Sequence, residues 1–170
     1  MTAGPTVEEA FERWYVRSHR QILAALVAYC GDLTEAAEVT DEAFARALGR
    51  WDRVQKMDSP VGWVFVVARN LLRGRARQAR RELEQSAGQA RRQAVSGRDD
   101  AEAVLAAFDM AKVLSVLTPR QRDVVVLHHG LDLSQDRVAE LLGISRSTVA
   151  TTLMDARSAL AIPTKGEARA

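Results

Sequence analysis

Residues 134–160, SQDRVAELLGISRSTVATTLMDARSAL, carry side chains of the kinds and spacing that read nucleic acid without making or breaking bonds. Ala139 is small enough to let two helices cross closely, and Gly143, four residues on, stands where a left-handed turn costs glycine least. Val138, Leu141, Leu142, Ile144, Val149 and Leu153 supply a shared core, and Ser145 is placed to cap the second helix. An ordinary helical hairpin uses similar turns; the register of small, Gly and β-branched positions favours a helix-turn-helix. Its second helix exposes Arg146, Ser147, Thr148, Thr151 and Arg157, which can reach bases or phosphates. One bidentate base contact is worth ~1–3 kcal/mol of discrimination.

A second kind of chemistry, attraction of a polyanion, lies in the middle of the chain. The net charge is only +2 over 170 residues. Residues 1–60 hold seven basic and ten acidic side chains, residues 61–98 nine and two, and residues 99–170 eight and ten. Local charge density steers ions more than the total does, so a polyanion is drawn to the middle segment. There Arg69, Arg73, Arg75, Arg77, Arg80 and Arg81 form a phosphate-binding strip, and Asn70 can bond a base edge. Trp63 has two readings: stacking on an unpaired base, or core packing beside Val64 and Val67. Glu38, Asp41 and Glu42, three and four residues apart, make an acidic patch on one helical face, suited to a basic partner surface or simply solvated.

These groups need helices to hold them. Apolar residues from Val7 to Tyr29 recur at helical spacing, and Gly31 ends that stretch. Asp32 caps a second helix with Ala36, Val39, Ala43, Phe44, Ala47 and Leu48 inward. A loop over residues 51–59 precedes a third helix, capped by Ser59 with Pro60 in its first turn. Its buried stripe is Trp63, Val64, Val67, Ala68, Leu71 and Leu72. Residues 85–103 have almost no large apolar side chain and read as a linker. Beyond it come a helix over 104–116, another capped by Thr118 with Pro119 first, a stop at Gly130, and Ser134 opening the helix-turn-helix. The last residues, 163–170, read as a disordered tail.

With 47% hydrophobic residues, few aromatics and abundant Ala, Leu, Val and Arg, the expected class is all-α: two small helical domains joined by a flexible linker. The lone Cys30 cannot form an internal disulfide and reads as a small buried hydrophobe. No apolar run is long enough to span a bilayer, so membrane insertion is not expected. The N-terminus lacks the pattern of a signal peptide, and a cytoplasmic location follows. His128 and His129 adjoin a helix end, where imidazolium favours the dipole; neighbouring histidines point to different faces, so no metal site is expected there. No catalytic residues and no cofactor are expected.

GDLTEAAEVTDEAFARAL and SPVGWVFVVARNLLRGRARQARR, followed by LTPRQRDVVVLHHGLDLSQDRVAELLGISRSTVATTLMDARSAL, together resemble a bacterial RNA polymerase sigma factor of the extracytoplasmic-function (ECF) type, sigma-70 family. The resemblance covers about residues 7–84 and 104–160. The last segment alone also resembles the DNA-binding domains of LuxR-type regulators. The sigma-factor resemblance implies a region two helical bundle at 1–84, a linker at 85–103 and a region four helix-turn-helix at 104–162. It further implies partners: core RNA polymerase, promoter DNA and an anti-sigma factor. By resemblance, Glu38, Asp41 and Glu42 lie on the helix that grips core polymerase. Gln55, Lys56, Met57, Asp58 and Ser59 lie in the loop that captures an extruded minus-ten base, and the second helix of region four meets the minus-thirty-five element. A flipped base loses a few kcal/mol of stacking, so a mixed apolar and polar pocket makes physical sense.

The chain also departs from that pattern. Ala37 and Asp41 stand for the usual glutamate and glutamine, Gly74 for an aspartate, and Ala150, Thr152 and Asp155 for positions usually cationic. The last three would weaken DNA binding by region four. Two alternatives follow: a helix-turn-helix regulator working without polymerase, and a protein that binds an anti-sigma factor through a sigma-like scaffold.

Overall fold

The computed structural model describes residues 6–85 and 101–161, and every regular element within them is a helix. The first, α1 (Val7–Cys30), begins at a reciprocal cap: the Glu9 N–H donates to Thr6 Oγ1 at 3.2 Å, and the Thr6 N–H donates to Glu9 Oε2 at 2.8 Å. Gly31 closes it in the left-handed region, φ 73°. Asp32 then caps α2 (Leu33–Leu48), its carboxylate accepting from the Glu35 N–H at 2.8 Å. Ala36, Val39, Ala43, Phe44 and Ala47 turn inward as expected. Leu48 does not; it is 47% exposed, because one residue past Ala47 is about 100° round the helix, off the buried stripe.

The expected loop over 51–59 contains a short helix, α3 (Trp51–Val54), with Trp51 and Val54 buried. Tertiary packing makes it. Trp51 lies 4.8 Å from the Trp14 ring and meets Phe11 edge-on at 5.2 Å, so aromatic burial folds a segment whose own propensity is weak. Ser59 Oγ accepts from the Gly62 N–H at 3.1 Å and starts α4 (Pro60–Gln85), which buries Val64, Phe65, Ala68 and Leu72. The Arg-rich stretch continues the same helix.

The second half consists of α5 (Ala101–Leu114), α6 (Pro119–Val125), a π-helical turn (Val126–Gly130), α7 (Gln135–Leu142) and α8 (Arg146–Ala161). Thr118 and Gln121 form a capping box at α6, and Ser134 caps α7. After the π turn, Asp132 rather than a glycine takes positive φ, 54°. Gln85 and residues 101–103, expected in the linker, belong to α4 and α5; the rest of that linker and the tail at 163–170 lie outside the described residues.

Both expected helical halves are present, and they are docked on each other. α5 lies along α1, α7 packs on α4, and one buried cluster includes Leu26, Phe65, Leu114, Leu127 and Val138. The approach at Gly62 is close: a Cβ there would lie 2.5 Å from Leu141 Cδ1 and 2.9 Å from Leu133 Cδ1. No described helix is long and apolar enough to cross a membrane.

Candidate nucleic-acid interface

Helix α4 divides its arginines by depth. Arg69 is buried, at 8% exposed, and Arg73 half-buried, whereas Arg77, Arg80 and Arg81 face solvent near its C-terminal end. Burial of a guanidinium requires an acid, and α6 supplies one: Asp123 is 2% exposed. Arg69 Nη1 and Arg73 Nη2 donate to Asp123 Oδ2 at 2.7 and 2.8 Å, and Tyr29 Oη donates to Oδ1 at 3.0 Å. Arg73 also donates to Tyr29 Oη at 3.2 Å. Burial, then the neighbouring Asp123 carboxylate, pushes the Tyr29 phenol upward. Burial alone would lower Arg73, but Asp123 and Tyr29 outweigh it and raise the guanidinium above its ordinary value. Asn70, exposed on the next position, accepts from Arg69 Nη2 at 2.8 Å.

Arg75 leaves the expected strip. It reaches across to α2, donating to Glu38 at 2.7 Å and lying 3.8 Å from Glu42. Each acid of the expected patch therefore has a basic neighbour: Glu42 pairs with Arg46 at 2.6 Å and Asp41 lies 3.3 Å from His19. All of these pairs are at least part-exposed, so each is worth little.

The loop before α4 presents Gln55 and Lys56 outward, while Met57 turns in. Met57 joins Val54, Trp63, Arg50 and Arg53 around a cavity of about 220 Å³. Trp63 is partly packed on the core and also lines the recess. Arg50 and Arg53 were missed; two cations flanking an aromatic segment were the available signal. Asp58 is held by Arg137 of α7 at 2.6 Å, and Ser59 is occupied as the α4 cap.

In the second half the recognition geometry forms as its spacing implies. Gly143 has φ 64°, Val138 and Ala139 are buried, and Ser145 Oγ accepts from the Thr148 N–H at 3.1 Å. Ser147 and Thr148 are exposed, but their hydroxyls bond to Ser145 Oγ at 2.8 and 2.7 Å. Thr151 is exposed on the same helix, and Arg146 lies 3.4 Å from Asp136 with both side chains largely exposed. Arg157 sits three turns along, beside His129, Leu153 and Met154 at an open cavity of about 460 Å³.

Thr152 corrects the expectation drawn from its missing charge. It is buried at 9%, and its hydroxyl donates back to Thr148 O at 2.7 Å, so the position faces the core rather than a phosphate. The histidines differ too: the rings of His128 and His129 are 4.6 Å apart rather than diverging. Desolvation, then His128 and Arg157, lowers His129, opposing the imidazolium that the helix end would favour. Cys30 is only partly buried against the core rather than wholly inside it; its thiol donates to Asp32 O at 3.3 Å, and burial pushes it up to about 11.

Residues 14–82 match the Sigma-70 region 2 family, and residues 108–160 match Sigma-70, region 4. The RNA polymerase sigma-E factor of Streptomyces coelicolor is 30% identical over 140 residues, covering 82% of this chain and 77% of that protein. The ECF RNA polymerase sigma factor SigC of Mycobacterium tuberculosis is 25% identical over 146 residues, 86% of this chain and 79% of its own. In structure, the sigma factor RpoE of Bartonella quintana, solved with the anti-sigma factor NepR, superposes with a TM-score of 0.71 at 20% identity, covering 89% of this chain and 94% of that one. CnrH, solved with the cytosolic domain of CnrY, gives 0.63 at 23% identity, covering 90% and 86%.

Proposed function

The chain belongs to the sigma-70 family of RNA polymerase sigma factors, of the ECF type, and from that premise we propose how its surfaces divide the work of promoter recognition. The exposed acids of α2, Glu38, Asp41 and Glu42, dock on a basic surface of core RNA polymerase by exchanging their weak internal partners. Arg69, Asn70, Arg73, Arg77, Arg80 and Arg81 of α4 engage the minus-ten region, with the recess at Met57 and Trp63 taking an extruded base beside Gln55 and Lys56. Arg146, Ser147, Thr148, Thr151 and Arg157 of α8 meet the minus-thirty-five region. Polymerase supplies the chemistry of RNA synthesis; this subunit supplies address, acting in the cytoplasm where polymerase works.

The observation that carries the reading is the order of parts on one chain: an acidic helix, an arginine helix with an aromatic recess at its start, then a helix-turn-helix. An anti-sigma factor fits the same reading, since one structural relative was captured with such a partner and the docked halves present one continuous body to hold. Purified chain added to core polymerase is expected to co-purify with it and to yield transcripts from discrete genomic start sites. Absence of any association with core overturns the proposal.

A further inference from the structure

We propose that Asp123 is an internal stand-in for a DNA phosphate: in the docked chain it fills an anion site made by Arg69, Arg73 and Tyr29, and a backbone phosphate takes its place when the halves part. This rests on the reading that α4 meets DNA, and adds what keeps it from doing so.

The donors all come from the first half and the acid from the second, 54 residues from Arg69 and 94 from Tyr29. Two guanidiniums and a phenol converge on one carboxylate, with both arginine contacts on the same oxygen. A third guanidinium, Arg122, lies 5.7 Å from the Tyr29 ring and donates to Tyr29 O at 3.1 Å. Arg122 belongs to α6 and leaves with Asp123, but Arg69 and Arg73 alone already carry one more positive charge than Asp123 cancels. The carboxylate also leaves a donor over: Arg69 Nε is buried without an acceptor. A phosphodiester offers further acceptor oxygens and matches the planar donor fork of arginine, so it suits this cluster at least as well as a carboxylate does.

Undocking removes Asp123 from this cluster, and cations left without a counter-charge gain most from a polyanion. A second contact holds the same seam: Arg137 of α7 pairs with Asp58, in the loop that precedes α4. Docking and DNA binding thus compete for the same donors, and whatever separates the halves uncovers the phosphate site.

The test compares wild type with Asp123→Asn as full chains, without polymerase, using a mixed-sequence single-stranded DNA oligonucleotide. Asn keeps the shape and removes the charge. Small-angle scattering is expected to show a larger radius of gyration. Fluorescence anisotropy is expected to show DNA affinity raised several-fold, with the log K against log salt slope steeper by ~0.7 for each phosphate newly neutralised. Adding Arg73→Gln to Asp123→Asn should return affinity and slope toward wild type. An expanded chain with unchanged affinity and slope overturns the phosphate site, and a chain as compact as wild type overturns the lock. Should Asp123→Asn not fold, Gly62→Gln takes its place: its side chain is driven against Leu141 and Leu133 and wedges the halves apart with the Arg69, Arg73 and Tyr29 donors intact; the same two changes are expected, and the absence of either overturns the proposal. Co-purification with core polymerase is measured separately, so failure of the sigma reading and failure of the lock remain distinct.

Discussion

The two surfaces proposed to meet DNA are treated in opposite ways by the fold. On α4 the deepest arginines, Arg69 and Arg73, are pinned under α6 by Asp123, whereas on α8 Arg146, Ser147, Thr148 and Thr151 remain at the surface. A buried, charged and fully oriented contact costs more to disturb than a surface one, because removing one partner strands the other away from water. The comparison teaches that docking masks the first half selectively. In this state the helix-turn-helix is presented while the arginine helix is partly withheld.

The hardest way to break that contrast is to remove the platform beneath it. Phe65 is fully buried and meets Tyr29 edge-on at 5.9 Å, so Phe65→Ala should cost about 3–5 kcal/mol and free the α4 face along with it, measured by urea unfolding. Arg69→Ala comes next, at roughly 3 kcal/mol, since Asp123 keeps Arg73 but loses its better-buried partner. The matching truncation on the open face, Arg146→Ala, should stay within about 0.5 kcal/mol in the same assay. Equal losses at the two arginines would erase the distinction.

Two glycines of α4 sharpen it further. A methyl at Gly62 meets the ends of Leu141, Leu133 and Ser59 at the seam, so Gly62→Ala should destabilise by about 1 kcal/mol as those side chains shift. A methyl at Gly74 meets nothing within 4 Å, so Gly74→Ala should stabilise by about 1 kcal/mol through helix propensity alone. Thermal melts of the two variants should therefore move in opposite directions.

The smallest effect belongs to the open side. His129 is lowered in the folded chain, so below its ordinary value of 6.5 the unfolded chain binds the proton more readily. Stability contributed by neutral His129 is present above that value and is lost as pH falls through it toward the folded value. His129→Gln should flatten this part of the stability profile, read from urea midpoints at neutral and mildly acidic pH.

Much of the local structure was legible because it is set by neighbours. Asp32, Thr118, Ser134 and Ser145 cap the helices their positions imply, and Gly31 and Gly143 take the left-handed conformations their turns require. Legibility ended where a partner lay far along the chain. Residues 51–54 carry a loop's pattern, and it is the Trp51 ring against Trp14 that makes them helical; Thr152 has the position of a phosphate contact, and its burial assigns it to the core. Arg75 belonged to the strip by charge and to α2 by reach. Arg50 and Arg53 gained meaning only from the recess that Met57 and Trp63 share with them.

Helix positions, caps, the turn of the helix-turn-helix and the kinship with sigma factors were determined by residue order alone, since each depends on spacings of a few residues or on a pattern kept along the chain. Which arginines lie hidden, and beneath which acid, was decided by packing. Asp123 is separated from Arg69 by 54 positions, and only the meeting of α1, α4 and α6 brings their charges to 2.7 Å. Periodicity assigns a side chain to a face; the tertiary structure determines what that face touches.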